Sequence, residues 1–191
     1  MKKINKFLLL FFIEILSIFF ILFIIPSIFL NKINEQNESG SLFFVPLENN
    51  KEYTTNLPLS YPNLEQIYLM LKNTNLSSKE AVTVIVNDNP FQINGGSIGD
   101  PSWVPIKFNP IKDSLTIKIF SPTKATNSLF FGINKSDNSF AIKKIYQILG
   151  FKNKFLYNFA YQINKLKNNG KFLTIYFLMF LGLNYLYVKK K

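Results

Sequence analysis

Four carboxylates, Glu80, Asp88, Asp100 and Asp113, fall in a stretch rich in turn residues. Two acids flanking one bond could cleave a glycoside, one protonating the leaving oxygen and the other serving as base or nucleophile. None of the four has a sequence context beyond a turn or strand edge, so no catalytic residue is predicted. Asp88 in "VNDNP" and Asp100 in "GDP" could instead lend oxygens to a calcium ion steadying loops, but Asn, Asp and Pro together are also ordinary turn chemistry. Trp103, the single tryptophan, could stack on a sugar ring or pack within a sheet. Trp103 and Asp100 are the candidate ligand contacts. No metal or cofactor is expected.

Gly95, Gly96 and Gly99 precede Trp103 in "GGSIGDPSW". A phosphate loop needs a strand before it and a helix after it, whose first N–H groups hold the anion. Here the flanking segments "PFQIN" and "WVPIKF" both read as strands, and neither the Walker nor the dinucleotide spacing is present. The glycines are predicted to turn the chain at positive φ.

Composition removes other chemistries. With Cys 0 and His 0 there is no thiolate, disulfide, imidazole base or Cys/His zinc site. The net charge is +11, and every basic residue is lysine. Nucleic-acid sites favour the planar arginine fork, so a nucleic-acid partner is not expected.

The elements that must hold these residues begin with an apolar run, Phe7 to Leu30, interrupted by Glu14 and Pro26. A spanning helix needs about 20 residues, which this run supplies. Lys2, Lys3 and Lys6 also fit the basic start of a secretory signal. The apolar part is longer than a signal's, however, and no small-x-small site ends it, so residues 1–31 are expected to remain as a transmembrane anchor. A second, shorter span is predicted over 172–188, followed by Lys189 to Lys191; an interfacial helix is the alternative there. Lysines outside both spans predict cytoplasmic termini and an extracytoplasmic middle. Seven lysines between Ala141 and Lys171 run against that rule, unless the first span dominates or this segment lies on anionic lipid.

Between the spans, residues 41–137 alternate apolar and polar positions with turn signals between. Strands are predicted at "SLFFV", "EYTTNL", "LEQIYLMLK", "AVTVIV", "PFQIN", "WVPIKF", "LTIKIF" and "SLFFGI". The expectation is a mainly β fold, an antiparallel jelly-roll-like sandwich. Residues 141–171 carry Ile142, Ile145, Ile148, Leu149, Phe155, Leu156, Phe159, Ile163 and Leu166, recurring at threes and fours among lysines and asparagines, which predicts an amphipathic helical segment broken near Gly150. It could lie along a membrane or pack as a helical hairpin.

The run "LMLKNTN", "VTVIVND", "SWVPIKFNPIKDS" and "LTIKIFSP", with Trp103, Phe108, Pro110, Asp113, Ser114 and Ser121, resembles the extracytoplasmic jelly-roll, galactose-binding-like domains of poorly characterised bacterial membrane proteins. The resemblance covers Leu42 to Ile133. It implies a fold, a location outside the cell membrane and, by analogy, a carbohydrate-linked role. The expected function is a non-enzymatic membrane protein presenting a sandwich to envelope glycans or a membrane complex. The alternative is a subunit or fragment of a membrane-bound glycan-processing enzyme. The expected partners are the lipid bilayer, envelope polysaccharide and other membrane subunits.

Overall fold

The computed structural model describes residues 2–36, 41–120 and 128–170, together with Thr174 and Gly182. The chain divides into two compact units, a sandwich over Lys32–Gln147 and a helical unit made of 1–31 and 148–191.

Among the described residues, ten strands build the sandwich. They are β1 (Lys32–Gln36), β2 (Leu42–Pro46), β3 (Glu52–Pro58), β4 (Leu64–Asn73), β5 (Ala81–Val86), β6 (Asn89–Asn94), β7 (Ser102–Ile111), β8 (Ser114–Phe120), β9 (Leu129–Asn134) and β10 (Ile142–Gln147). One sheet has four strands in the order β3-β8-β5-β6. The other has six, running β1-β10-β4-β9-β2, with β7 on the far side of β4. All pairings are antiparallel.

The core follows from the period of two. Val82, Val84 and Val86 on β5 and Leu115, Ile117 and Ile119 on β8 are fully buried. Register sets Val84 against Ile119 and Val86 against Ile117. Facing them from the other sheet are Ile67, Leu69 and Leu71 on β4, with Phe131 and Ile142. Each such side chain contributes about 1.5–3 kcal/mol on leaving water.

The eight predicted strands correspond to β2 through β9, but two further strands lie outside the expected boundaries of 41–137. In β1, "KINEQ", only Ile33 is both apolar and buried, so its sequence carries almost no strand signal. The start of the segment expected to be an amphipathic helix is strand β10, and the helix begins only at Phe151. The alternation there is masked because the inward set is Ile142, Lys144 and Tyr146, with a lysine in the core position. Lys144 Nζ donates to Pro58 O at 3.2 Å and lies 3.8 Å from Glu35 Oε2. Glu35 also accepts from Tyr146 at 2.7 Å and from Ser60 at 2.5 Å, which gives the inward charge a polar setting.

In the helical unit, α1 (Lys2–Phe19) passes through a π turn (Phe20–Ile24) into α2 (Ile25–Phe29). Within it, Phe11–Phe29 is long and apolar enough to cross a membrane, and only 11% of it is buried inside the protein. Helix α3 (Phe151–Asn168) follows Gly150, whose φ of 78° lets the chain turn out of β10. Phe19, Phe23, Phe155 and Phe159 form a ring cluster with centroid separations from 5.0 to 6.3 Å. The predicted second span, 172–188, lies outside the described residues apart from Thr174 and Gly182.

Candidate functional site

Strand β4 places Tyr68, Met70 and Lys72 on the face of the six-stranded sheet opposite the core, because Leu69 and Leu71 take the inward positions. Its neighbours add to that face. Trp103 on β7 stands opposite Met70, Lys143 on β10 opposite Tyr68, and Phe130 on β9 opposite Lys72. Phe44 on β2 is opposite Gly132 on β9. All these side chains are half-buried. The outer face therefore carries aromatic rings and two lysines where a solvated sheet would carry small polar residues.

The two ammonium groups sit over rings. Lys143 Nζ is 4.0 Å from the centre of the Trp103 ring, and Lys72 Nζ is 5.6 Å from that of Phe44. Such contacts contribute roughly 0.5–1 kcal/mol at an exposed surface and hold the cations in place. Lys143 occupies one face of the indole, so a sugar stacking on that face must displace it.

Asp100, the other predicted contact, reaches the same region. Its carboxylate accepts from the backbone N–H of Asn75 at 3.0 Å and lies 3.4 Å from Lys72 Nζ. Asn75 has φ 56°, so Asp100 helps to fix a left-handed turn as well as Lys72. Lys72 thus lies between Asp100 and Phe44, and the two predicted residues, Trp103 and Asp100, stand at the start of β7 beside the same lysine-bearing strand.

The other acids take turn positions. Asn87 and Asp88 both have positive φ and form the two-residue loop between β5 and β6, as a type I′ hairpin requires. Asn87 pins that loop to β8, donating to Ser114 O and accepting from Thr116 N, each at 2.7 Å. Asp113 is exposed in the turn between β7 and β8, at the same end of the sandwich. Glu80 and Asp100 are at the other end, so β5 separates Glu80 from Asp88 by about 20 Å at the usual strand rise. Among the described residues, no group of three acids is placed to hold a metal ion.

The glycine reading needs correction. Gly95, Gly96 and Gly99 do turn the chain between β6 and β7, but none has positive φ; asparagines supply that conformation elsewhere. Gly95 is required for space, since a Cβ there would stand 2.5 Å from Glu80 O. Its N–H donates to that oxygen at 2.9 Å, and its carbonyl accepts from Asn73 Nδ2 at 3.0 Å.

Sequence reasoning missed Tyr68, Lys72, Phe44 and Lys143 as members of the site. The available signal was β4 itself, which is apolar at outward Tyr68 and Met70 as well as at inward Leu69 and Leu71.

No protein-family model matches the sequence, and no curated protein matches it. Among solved structures the sandwich is distantly similar to parts of glycan enzymes. An exo-β-1,3-galactanase from Phanerochaete chrysosporium is 16% identical with TM-score 0.39, over 61% of this chain and 30% of that one. A ruminal GH26 endo-β-1,4-mannanase is 13% identical with TM-score 0.35, over 61% of this chain and 21% of that one. The CBM36-1 domain of a xylanase from the hindgut metagenome of Trinervitermes trinervoides is 13% identical with TM-score 0.34, over 63% of this chain and all of that one. The chain thus spans less than a third of the two enzymes.

Proposed function

We propose that this protein holds a jelly-roll sandwich outside the cell membrane on a retained N-terminal anchor, and that the sandwich binds envelope glycans without processing them. The anchor is supported by the exposure of its apolar residues, among them Phe12 at 63% and Phe29 at 74%, which call for lipid as solvent. Retention is supported by α3, whose Phe155, Asn158 and Phe159 pack on Phe19 to Ser27 and would be uncovered by cleavage. The jelly-roll connectivity is supported by the strand order, in which β2, β4, β7 and β9 share one sheet and β3, β5, β6 and β8 the other.

The observation that carries the binding function is the outer face of the six-stranded sheet. Rings at Phe44, Tyr68 and Trp103 offer apolar platforms, and Lys72 and Lys143 favour a glycan bearing carboxylate or phosphate groups.

Trp103 is the sole tryptophan, so its emission reports this face directly. The full chain in detergent micelles is titrated with polygalacturonate and, separately, with neutral dextran. A saturable change with the acidic polymer, weakened in Lys143→Gln, is expected, with the polymer recovered at full length. No response and no retention on either polymer would overturn the reading, and released reducing ends would replace it with an enzyme.

A further inference from the structure

Helix α3 touches the N-terminal helix in a way that fixes its own polarity. Phe155 reaches Phe19, with ring centres 6.3 Å apart, while the adjacent Lys154 donates to Asn31 Oδ1 at 2.6 Å. Phe19 and Asn31 are twelve residues apart in the sequence. Two consecutive residues of α3 therefore point in opposite directions along the N-terminal helix, with Asn158 between them on Leu22, Phe23 and Ser27. Phe159 also packs on Phe23, with ring centres 5.2 Å apart, so the contact face of α3 runs from Lys154 through Asn158 to Phe155 and Phe159.

The composition of α3 follows these two directions. At 100° per residue, Phe159, Ile163 and Leu156 lie on the side that Phe155 leads toward, facing the middle of the apolar run. Lys154, Tyr157, Tyr161 and Lys165 lie on the side toward Asn31, where that run ends, with exposed Asn164 at the edge of that side. Lys152 and Lys167 are the exceptions on the apolar side, one in the first turn and one in the last, where a long stem can carry the ammonium outward. Leu156 and Phe159 are exposed at 53% and 39%, and Phe151 at 50%. No acid occurs within Phe151–Asn168.

We infer that α3 lies flat in the headgroup layer where the N-terminal span leaves the membrane, with Leu156 and Ile163 among the acyl chains, Phe159 beside them against Phe23, and Lys154 and Lys165 toward phosphate groups. This rests on the N-terminal helix crossing the bilayer. The occupant of the apolar side is phospholipid: that side faces the depth at which the neighbouring helix is itself clothed by lipid, and the opposite side carries cations and tyrosines suited to an interface.

The chain has no cysteine, so single substitutions can be labelled cleanly. Leu156→Cys, Asn164→Cys and Leu16→Cys replace exposed residues and need not disturb packing. Each full-length variant, carrying an environment-sensitive fluorophore, is reconstituted in phosphatidylcholine vesicles containing phosphatidylglycerol. Quenching by acyl-chain nitroxide lipids is then compared with quenching by aqueous iodide. The Leu16 label should respond only to the nitroxide lipids. The Leu156 label should favour nitroxide over iodide several-fold, and the Asn164 label should do the reverse. A Leu16 label in lipid with Leu156 open to iodide would overturn the inference alone. Both α3 labels buried in acyl chains, or both shielded from each quencher, would also overturn it, in favour of insertion or a protein partner. A Leu16 label open to iodide would remove the membrane span, and the inference with it.

Discussion

Asn158 Nδ2 donates to the carbonyl of Leu22 at 3.1 Å, and Leu22 is the residue four before Pro26. In an unbroken α-helix that carbonyl would accept from residue 26, but proline has no N–H. The same nitrogen approaches Phe23 O at 3.1 Å and Ser27 Oγ at 3.2 Å, and the π turn has Ile25 N–H bonded to Phe20 O. The break in the N-terminal helix is therefore completed by a side chain from 135 or so residues later in the chain. Asn158→Leu should loosen α3 from its partner and increase protease cleavage within α3. Pro26→Ala restores a donor near Leu22, so the loss caused by Asn158→Leu should be smaller in that background. A coupling of about 1 kcal/mol is expected in a double-mutant cycle of unfolding in detergent. Equal losses in both backgrounds would show that the asparagine does not serve the proline gap.

Since that helix supplies the surface on which α3 rests, it should remain in the mature protein. Intact-mass measurement of this chain expressed from Met1 and extracted from membranes should show that residues up to Leu30 are retained. A mass starting beyond Leu30 would show a cleaved leader.

Asn73 is fully buried and uses its whole side chain, donating to Ser78 O at 2.8 Å and Gly95 O at 3.0 Å and accepting from Ser78 N at 3.1 Å. It ties the end of β4 to the turn leaving β6 in the opposite sheet. Asn73→Ala leaves three backbone groups without these partners and should cost roughly 2–4 kcal/mol in chemical denaturation. A loss below about 0.5 kcal/mol, typical of surface substitutions, would mean that the turns satisfy themselves.

Burial raises the pKa of Tyr146 above the usual tyrosine value, and its hydrogen bond to Glu35 raises it further. The folded state thus keeps the proton to higher pH than the unfolded chain. That contribution is complete below about pH 10, the unfolded tyrosine value, and falls as pH rises through the folded one. Denaturation midpoints should decline above pH 10, and Tyr146→Phe should flatten that decline. An identical slope in the variant would assign it to other groups.

Removing the acid of this cluster should cost more than a surface ion pair. Glu35→Gln leaves Lys144, which is 4% exposed, facing a neutral amide, and should lower stability by about 1–3 kcal/mol. Lys144→Met in the Glu35→Gln background should recover part of that loss, because the buried cation is gone. Failure to recover would place the cost in the lost Tyr146 and Ser60 hydrogen bonds.

The sequence alone determined the elements whose apolar period is clean. Val82, Val84 and Val86 alternate without interruption, as do Leu115, Ile117 and Ile119, and each set is legible as a strand from its local pattern. The length and apolarity of the first helix are likewise local properties. Tertiary structure decided β1 and β10, because Lys144 can face inward only when Pro58 O and Glu35, which are distant in sequence, come to meet it. It also decided the candidate site. Phe44, Lys72, Trp103 and Lys143 come from four strands and share a face only through pairing register, which no local pattern encodes.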